Sequence, residues 1–205
     1  MLRDERGDEA RPANPLQQVG QAGARKSTPE RKRPPWAVAA LVWATFGIYF
    51  LVWAGQNWSE IKRERNDDRM NPILHAVSLV VPIYQFFRIH AAFRAIDELL
   101  ETTRSKVRTN PAIVTVTFAF AVALMFVPVQ QPRLIMINFM AVMAATSWIA
   151  YNGQSSMNAY WEARRERNVT TNVNILERMI IGFGTGLWFL IVMSLIVNPE
   201  MQDLN

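Results

Sequence analysis

The sequence of 205 residues contains no cysteine, which excludes disulfide bonds, thiolate nucleophiles and cysteine-based metal sites. No aromatic residue occurs among the first 34 residues, and so polar a segment buries too little apolar surface to offset the entropy of ordering. We therefore expect residues 1–34 to form a disordered basic and polar tail. After residue 35, charge is missing from several long stretches, which is typical of segments that lie in lipid.

Four uncharged runs are each long enough to cross about 30 Å of hydrocarbon as a helix that rises about 1.5 Å per residue. They are residues 36–54, 112–129, 134–152 and 179–197. A fifth run, residues 73–87, is shorter and contains Pro82. Trp36 and Trp53 bracket the first run, as residues of the two interfacial aromatic belts do. The pattern predicts an all-α integral membrane protein with four to five transmembrane helices.

These runs divide the chain into two membrane units and a helix between them. The predicted first unit covers residues 35–108, with spans at 36–54 and 73–90 and an amphipathic helix at 89–101. The extra transmembrane helix lies within residues 109–130. The predicted second unit covers residues 131–198, with spans at 134–152 and 177–197, and a short acidic tail follows at 199–205.

An amphipathic pattern follows the fifth run. Ile89, Phe93, Ile96 and Leu100 recur at spacings of three and four, and charged residues take the opposite face. Such a helix can lie in the headgroup layer with its apolar stripe toward the lipid. The basic residues beyond the apolar runs are then candidates for contact with anionic lipid, although solvated helix ends explain them equally well. They are Lys62, Arg63, Arg65, Arg88, Arg94, Arg164, Arg165 and Arg167.

The chain is similar to itself at a shift of 102 residues. Residues 39–74 align with residues 141–176 without a gap, and nine of the aligned pairs are identical. A weaker match at a shift of 35 sets residues 47–49 against residues 82–84. We interpret the first shift as an internal duplication.

The segments that carry these matches resemble a known family. Residues 45–53 read TFGIYFLVW and residues 81–89 read VPIYQFFRI, and each precedes a charged helix. This pattern resembles the prokaryotic membrane family catalogued as domain of unknown function 4234 over residues 34–101, and more divergently over residues 136–197. The resemblance implies a bacterial-type membrane location and supplies no catalytic residues. Its helix-end motif corresponds to Gly47, Ile48, Tyr49, Trp53, Pro82, Ile83 and Tyr84.

The distribution of Lys and Arg leaves two topologies open. If five segments cross and the N-terminus lies inside, 17 of the 22 Lys and Arg residues face the cytoplasm and five face outward. That arrangement inverts the second copy of the repeat relative to the first, which is a transporter architecture. Alternatively, the run that contains Pro82 does not cross fully, and both basic runs of the repeat face the cytoplasm. Neither arrangement places every basic residue inside.

Motifs for a chemical reaction are missing from the sequence. His75 and His90 have no neighbouring ligand residues, and no nucleophile elbow, HExxH motif or glycine-rich phosphate loop occurs. Gly182 and Gly186 form a GxxxG pair, which favours close packing of two membrane helices. We therefore predict no catalytic residue, no cofactor and no metal site.

Together these patterns predict a multi-pass protein of the inner cell membrane whose N-terminal tail is cytoplasmic. We expect a non-enzymatic structural or interaction module whose basic helices contact the lipid bilayer and its anionic lipids. A second copy or another membrane protein is a further expected partner. Nucleic acid is not, because no nucleic-acid motif accompanies the net charge of +5. The alternative function is a small transporter or channel built from inverted repeats.

Overall fold

The computed structural model describes residues 32–103, 105–164 and 172–197, so most of the predicted tail and the acidic segment 199–205 lie outside the described residues. Within the described ranges all regular secondary structure is helical, which confirms the prediction of an all-α fold. In chain order these ranges hold α1 (Pro35–Ala44), α2 (Ile48–Arg65), α3 (Pro72–Val77), a 3₁₀ turn (Ser78–Val80), α4 (Tyr84–Thr102), α5 (Pro111–Met125), α6 (Pro132–Ala163) and α7 (Ile175–Val197).

Proline and asparagine set where several helices begin. A proline occupies the first turn of α1, α3, α5 and α6, where the missing backbone N–H has no intrahelical acceptor to lose. Before α3 and α5, the side chains of Asn71 and Asn110 each accept hydrogen bonds from two backbone amides of the first turn. The two Asn-Pro dipeptides therefore define helix starts by local chemistry alone.

The first apolar run, residues 36–54, reverses direction instead of forming one span. Positive φ angles at Phe46 (53°) and Gly47 (87°) turn the chain between α1 and α2. The Arg33 side chain, just before α1, donates to the side-chain oxygen of Gln56 far along α2, so the two helices run antiparallel. We name this pair hairpin 1. The prediction of a single span is wrong because glycine adopts the left-handed conformation at low cost and ends the helix there.

The fifth run is also broken, so the predicted span 73–90 is not one helix. The 3₁₀ turn ends before Pro82, which has no backbone N–H, and Ile83 has a positive φ of 66° where α4 begins. We name α3, the 3₁₀ turn and α4 hairpin 2. Its first helix lies beside α2, since the rings of Trp58 and His75 stack with centroids 4.5 Å apart.

The helices α5 and α6 form a third antiparallel pair, joined by residues 126–131. The Asn138 side chain on α6 donates to the carbonyl of Leu124 near the end of α5, at 2.7 Å. While α5 has 15 residues, α6 has 32 and is about 48 Å long. The second half of α6 therefore continues beyond the start of α5.

The second halves of α2, α4 and α6 pack side by side and run in the same direction. Trp53, Phe93 and Gly153 are in contact near the middle of the three helices. Farther along, the same helices share one buried cluster, formed by Trp58, Ile61, Ala95, Ile96, Leu99, Leu100, Met157 and Tyr160. Because the contacts follow the same order along each chain segment, the three helices are parallel. We name residues 54–65, 94–102 and 153–163 the headpiece.

Protein, rather than lipid, covers the apolar stripe of α4. Ile89, Phe93, Ile96 and Leu100 are each no more than 1% exposed, and residues of α2 and α6 surround them. The amphipathic segment 89–101 is thus a bundle helix instead of a helix in the headgroup layer. The period of an apolar stripe shows that it is buried but does not identify the apolar surface that buries it.

The two copies of the predicted repeat differ at their centre. Residues 45–47 turn the chain, whereas residues 147–149 lie within the continuous helix α6. Gly47 adopts the left-handed conformation, and its counterpart is Ile149, a β-branched residue for which that conformation is costly. The duplication stays a prediction. In the structure, α2 and the second half of α6 are parallel and not inverted.

The last helix, α7, packs along α1. Trp188 and Trp43 have ring centroids 5.3 Å apart, and the Trp188 indole donates to the Trp43 carbonyl at 2.9 Å. Two of the described helices, α6 and α7, are long and apolar enough to cross a membrane, and α1 and α5 are apolar but shorter. Helix length therefore supports two spans, fewer than the four to five that hydropathy predicts.

Candidate functional site

The ends of α2 and α6 form a charged tip on the headpiece. Glu64 accepts a hydrogen bond from the Tyr160 hydroxyl at 2.6 Å and forms an ion pair with Arg164. Arg164 also donates to the Tyr160 hydroxyl at 2.8 Å. Burial first, and then the bond to Glu64, raise the pKa of Tyr160 to about 12. The phenol therefore stays protonated at neutral pH and links α2 to α6.

A second ion network joins α2 to α4 at the same tip. Arg65 and Arg94 both pair with Glu98, at 2.5 and 3.0 Å. These groups are partly solvated, so each pair is expected to contribute no more than about 1 kcal/mol. An open cavity of about 700 Å³ lies between the networks, and its lining includes Glu64, Arg65, Glu98 and Arg164. Because the lining has two acidic and two basic residues, it favours neither an anionic nor a cationic ligand.

A chain of hydrogen bonds crosses the base of the headpiece. The Trp53 indole donates to Gln154 at 3.2 Å, and Gln154 donates to Asn158 at 3.0 Å. Asn158 then donates to the backbone carbonyl of Arg33 at 2.9 Å, and the Arg33 side chain pairs with Glu177 at the start of α7 at 3.2 Å. These bonds hold the starts of α1 and α7 against the headpiece. The segment predicted as a tail is therefore ordered at residues 32–34, and Pro34 is buried.

Glu60 places a carboxyl group within the headpiece. It accepts a hydrogen bond from the Trp161 indole at 3.3 Å. Burial raises the pKa of the Glu60 carboxyl, and the bond to Trp161 and the charge of Arg33 oppose that rise only in part. The ionised form is therefore less favourable in the folded chain than in the unfolded chain.

We expect Glu60→Gln to raise the free energy of unfolding at neutral pH but not in acid. Because the folded pKa of Glu60 is raised, its contribution to stability is fully present below the unfolded value of 4.5 and is lost as the pH rises through the folded pKa. Glutamine does not ionise, so its contribution to stability does not fall with pH. The free energy of unfolding of the variant therefore rises relative to that of the native protein as the pH rises. Thermal unfolding of detergent-purified protein at about pH 4 and about pH 7 measures the difference.

The matched control for this prediction is Glu101→Gln, which changes an exposed carboxyl on α4. Because Glu101 is exposed, burial contributes nothing to the effect of this change. The role of burial would be contradicted if Glu60→Gln raised the thermal stability equally at both pH values. It would also be contradicted if Glu101→Gln showed the same pH-dependent increase in stability.

The predicted membrane-contact residues differ in their surroundings. Those that pair with carboxylates are Arg65, Arg94 and Arg164. Lys62 donates to the carbonyl of Asp68 beyond α2, and Arg63 is exposed beside it. Arg88 lies over the Tyr84 ring, with its guanidinium carbon 5.0 Å from the ring centroid. Arg165 and Arg167 lie outside the described residues.

The helix-end motif marks the turns of the two hairpins. Gly47 and Ile83 have the positive φ angles that end one helix before the next begins. Ile48, Pro82 and Tyr84 are exposed beside these turns. The motif therefore sets chain reversal, which a reading of hydropathy alone does not detect.

The remaining motif residues face the protein. The Tyr49 amide donates to the Thr45 hydroxyl at 2.9 Å, and Trp53 is only 3% exposed. Trp36 is 58% exposed and follows Arg33, which joins the same hydrogen-bond chain as Trp53. Trp36 and Trp53 therefore lie near one end of hairpin 1 and do not bracket a span.

The connector between α4 and α5 supplies basic residues that are not among the predicted membrane-contact residues. Lys106 and Arg108 are exposed there. Arg108 and Trp148 line a cavity of about 200 Å³, together with Asn110 and Asn152. Asn152 is the last residue of the apolar run of α6. A guanidinium beside side-chain amides is an arrangement that can bind a phosphate group.

The GxxxG pair makes no close helix contact within the described chain. An added Cβ at Gly182 or Gly186 would have no neighbouring heavy atom within 4 Å, whereas Gly184 lies directly against Ala44. The packing glycine is therefore the one between the two predicted glycines, on the other face of α7. Packing of Gly182 and Gly186 against a helix of another chain stays a prediction.

Comparison with protein-family models, curated proteins and solved structures found no match for the chain. The resemblance to domain of unknown function 4234 therefore stays a prediction. Among the described residues, no group of three or more His, Asp or Glu side chains is placed to hold a metal ion.

Proposed function

We propose that the chain is a multi-pass protein of the inner membrane that holds its headpiece in water at the cytoplasmic face. In this proposal α5, with the apolar residues that follow it, α6 and α7 cross the bilayer in alternating directions. The headpiece and its connectors then contact anionic lipid or a protein partner, without catalysing a reaction.

The observation that carries this proposal is the apolar surface of the described helices. Among the residues that the structure describes, in helices and in the turns between them, large hydrophobic side chains are exposed at 33 positions. Only 28% of the most apolar part of α6 and 11% of that of α7 are buried. Water-soluble monomers rarely expose contiguous apolar patches of more than a few hundred Å². Lipid provides the apolar surroundings that these side chains need.

The apolar lengths of α6 and α7 fit one bilayer. In α6 the apolar run 134–152 is about 28 Å long and is followed by the polar headpiece. In α7 the order is reversed, since Glu177 and Arg178 precede the run 179–197. The pairing of Glu177 with Arg33 and the bond from Asn158 to Arg33 bring the two polar ends together. The preference of Lys and Arg for the cytoplasmic side supports placing this end inside.

The transporter alternative requires the two basic runs of the repeat to face opposite sides of the membrane. Glu64 and Arg164 belong to corresponding runs and form an ion pair at one end of the headpiece. This contact favours the module with both basic runs on the same face.

Membrane insertion is tested by alkaline carbonate extraction of membranes from cells that produce the full chain. We expect the protein to remain in the membrane pellet, because α6 and α7 present apolar surfaces on most sides. Release of the protein into the supernatant would overturn the proposed location.

Lipid recognition is tested by thermal unfolding of the purified full chain with added phosphatidylglycerol or phosphatidylcholine. We expect stabilisation by phosphatidylglycerol, and Arg108→Gln should weaken its apparent affinity about fivefold, because one basic residue near an anionic surface contributes about 1 kcal/mol. Arg133→Gln, at the opposite end of α6, is the control: it removes a basic residue that lies outside this cavity, and we expect it to weaken the affinity less than Arg108→Gln does. Equal stabilisation by both lipids would exclude the lipid role and leave a protein partner.

A further inference from the structure

The turns of hairpins 1 and 2 lie at the same depth, beside the middle of α5. Phe50 follows the turn of hairpin 1, and Phe86 follows the turn of hairpin 2. Both rings pack against Phe118, with centroids 6.1 and 6.0 Å apart. Phe118 is the central residue of α5, which runs from Pro111 to Met125. Neither turn therefore reaches the far end of α5.

Contact with α6 gives the same depth for hairpin 1. An added Cβ at Gly47 would lie 3.5 Å from the Met143 side chain. Met143 is the central residue of the apolar run 134–152. If that run spans the hydrocarbon, the turn of hairpin 1 lies near the middle of the bilayer.

Each hairpin starts and ends at the headpiece. Hairpin 1 begins beside Arg33, which bonds to Asn158, and ends at Arg65, which pairs with Glu98. Hairpin 2 starts after the loop that bonds to Lys62 and ends at the connector, where the Thr109 amide donates to the Asp97 carboxylate at 3.1 Å. The chain therefore leaves the headpiece and returns to it twice before α5 begins.

The basic residues also gather at this end. Among the described residues, all Lys and Arg except Arg88 and Arg133 lie in the headpiece or in segments that contact or adjoin it. They are Lys32, Arg33, Lys62, Arg63, Arg65, Arg69, Arg94, Lys106, Arg108, Arg164 and Arg178. Neither topology derived from the sequence placed them all on one side, because both assumed that residues 36–54 cross completely.

The outer surfaces of the hairpins are apolar close to their turns. Exposed hydrophobic side chains there are Ile48, Val52, Val80, Val81, Ile83 and Phe87, with exposed fractions from 48% to 72%. These side chains lie between the headpiece and the depth of the turns, so they share the depth of only one leaflet.

We propose that hairpins 1 and 2 are re-entrant: each enters the bilayer from the headpiece face, turns near the middle and returns to the same face. Their outer surfaces then contact acyl chains of that leaflet only, and the chain displaces more lipid from it than from the opposite leaflet. This inference rests on the proposed membrane location.

The test uses single cysteines in the full chain, which has no native cysteine. The four variants are Asp68→Cys after hairpin 1, Ile48→Cys and Val81→Cys at the two turns, and Gln130→Cys between α5 and α6. All four positions are exposed in the structure. An impermeant maleimide is applied to intact cells and to inverted membrane vesicles.

We expect Gln130→Cys to react only in intact cells, Asp68→Cys only in inverted vesicles, and the two turn variants in neither. A bimane label on the turn cysteines, after reconstitution, should be quenched more by lipids with a spin label near the acyl end than by lipids with one near the headgroup. Reaction of either turn cysteine in intact cells would show that its hairpin crosses fully and would overturn the inference. Stronger quenching by the headgroup label would overturn it too.

These outcomes are separate from failure of the proposed function. A protein that is released by carbonate is not integral to the membrane, and then the proposed function fails. A protein that stays in the pellet while a turn cysteine reacts from outside is integral, and then only the re-entrant arrangement fails.

Discussion

Gly184→Ala should push α7 away from α1 and lower the free energy of unfolding by about 2 to 3 kcal/mol. The added Cβ would lie 2.5 Å from the Ala44 Cβ and closer still to the Ala44 backbone oxygen. Backbone atoms on both helices cannot move aside as a flexible side chain can, so the helices must separate. Separation also weakens the contact of Trp188 with Trp43. Unfolding of the purified protein by titration with a denaturing detergent measures the loss.

Gly182→Ala and Gly186→Ala are matched controls on the same helix. An added Cβ meets open space at both positions. Alanine also has the higher helix propensity, by about 1 kcal/mol, so both controls should be as stable as the native chain or slightly more stable. Equal losses at all three positions would contradict the packing of Gly184 on α1. A loss at Gly182 and Gly186 alone would instead show that the GxxxG face is the packed one.

Phe93→Ala should lower the free energy of unfolding by about 3 to 5 kcal/mol, because it removes a fully buried ring and leaves a cavity. The Phe93 side chain has no exposed surface and lies between Trp53 and Gly153, where the three parallel helices meet. An added Cβ at Gly153 would lie 2.5 Å from the Trp53 ring, which shows how closely the helices approach at this level. The same detergent titration measures the effect.

Phe87→Ala is the control for this prediction, since it removes the same side chain from the same helix. Phe87 is 67% exposed and faces away from the bundle. Because the ring is largely exposed in the folded chain as well as in the unfolded chain, we expect a change of less than about 1 kcal/mol. If both variants lost equal stability, the burial of the α4 stripe between α2 and α6 would be contradicted.

The helical class and the amphipathic character of α4 could be predicted from the sequence. Both predictions rest on local sequence alone. The helical class follows from the long apolar runs, and the amphipathic helix follows from the spacing of Ile89, Phe93, Ile96 and Leu100. The prediction of one span at 36–54 failed for a local reason as well. Hydropathy sums over a window and does not register that one glycine, Gly47, takes a left-handed φ.

The candidate site was predictable only in part. Runs of basic residues predicted charge at the ends of α2 and α6, but not that Arg164 would pair with Glu64 from the other run. Arg108 lies in the connector between α4 and α5, and only its position beside Trp148 and Asn152 makes it a candidate. Gly184 likewise carried no signal, because its importance depends on Ala44, 140 residues earlier in the chain.

By itself the sequence determined which segments avoid water and which do not. That separation follows from the transfer free energy of side chains, a property of each residue that needs no partner. Tertiary structure alone decided that two of the apolar runs turn back beside the middle of α5, that α2, α4 and α6 are parallel, and that most of the described basic residues gather at one end. These features depend on contacts between residues far apart in the chain, such as Phe50 and Phe86 on Phe118, and no local pattern specifies which distant surface a stripe will meet.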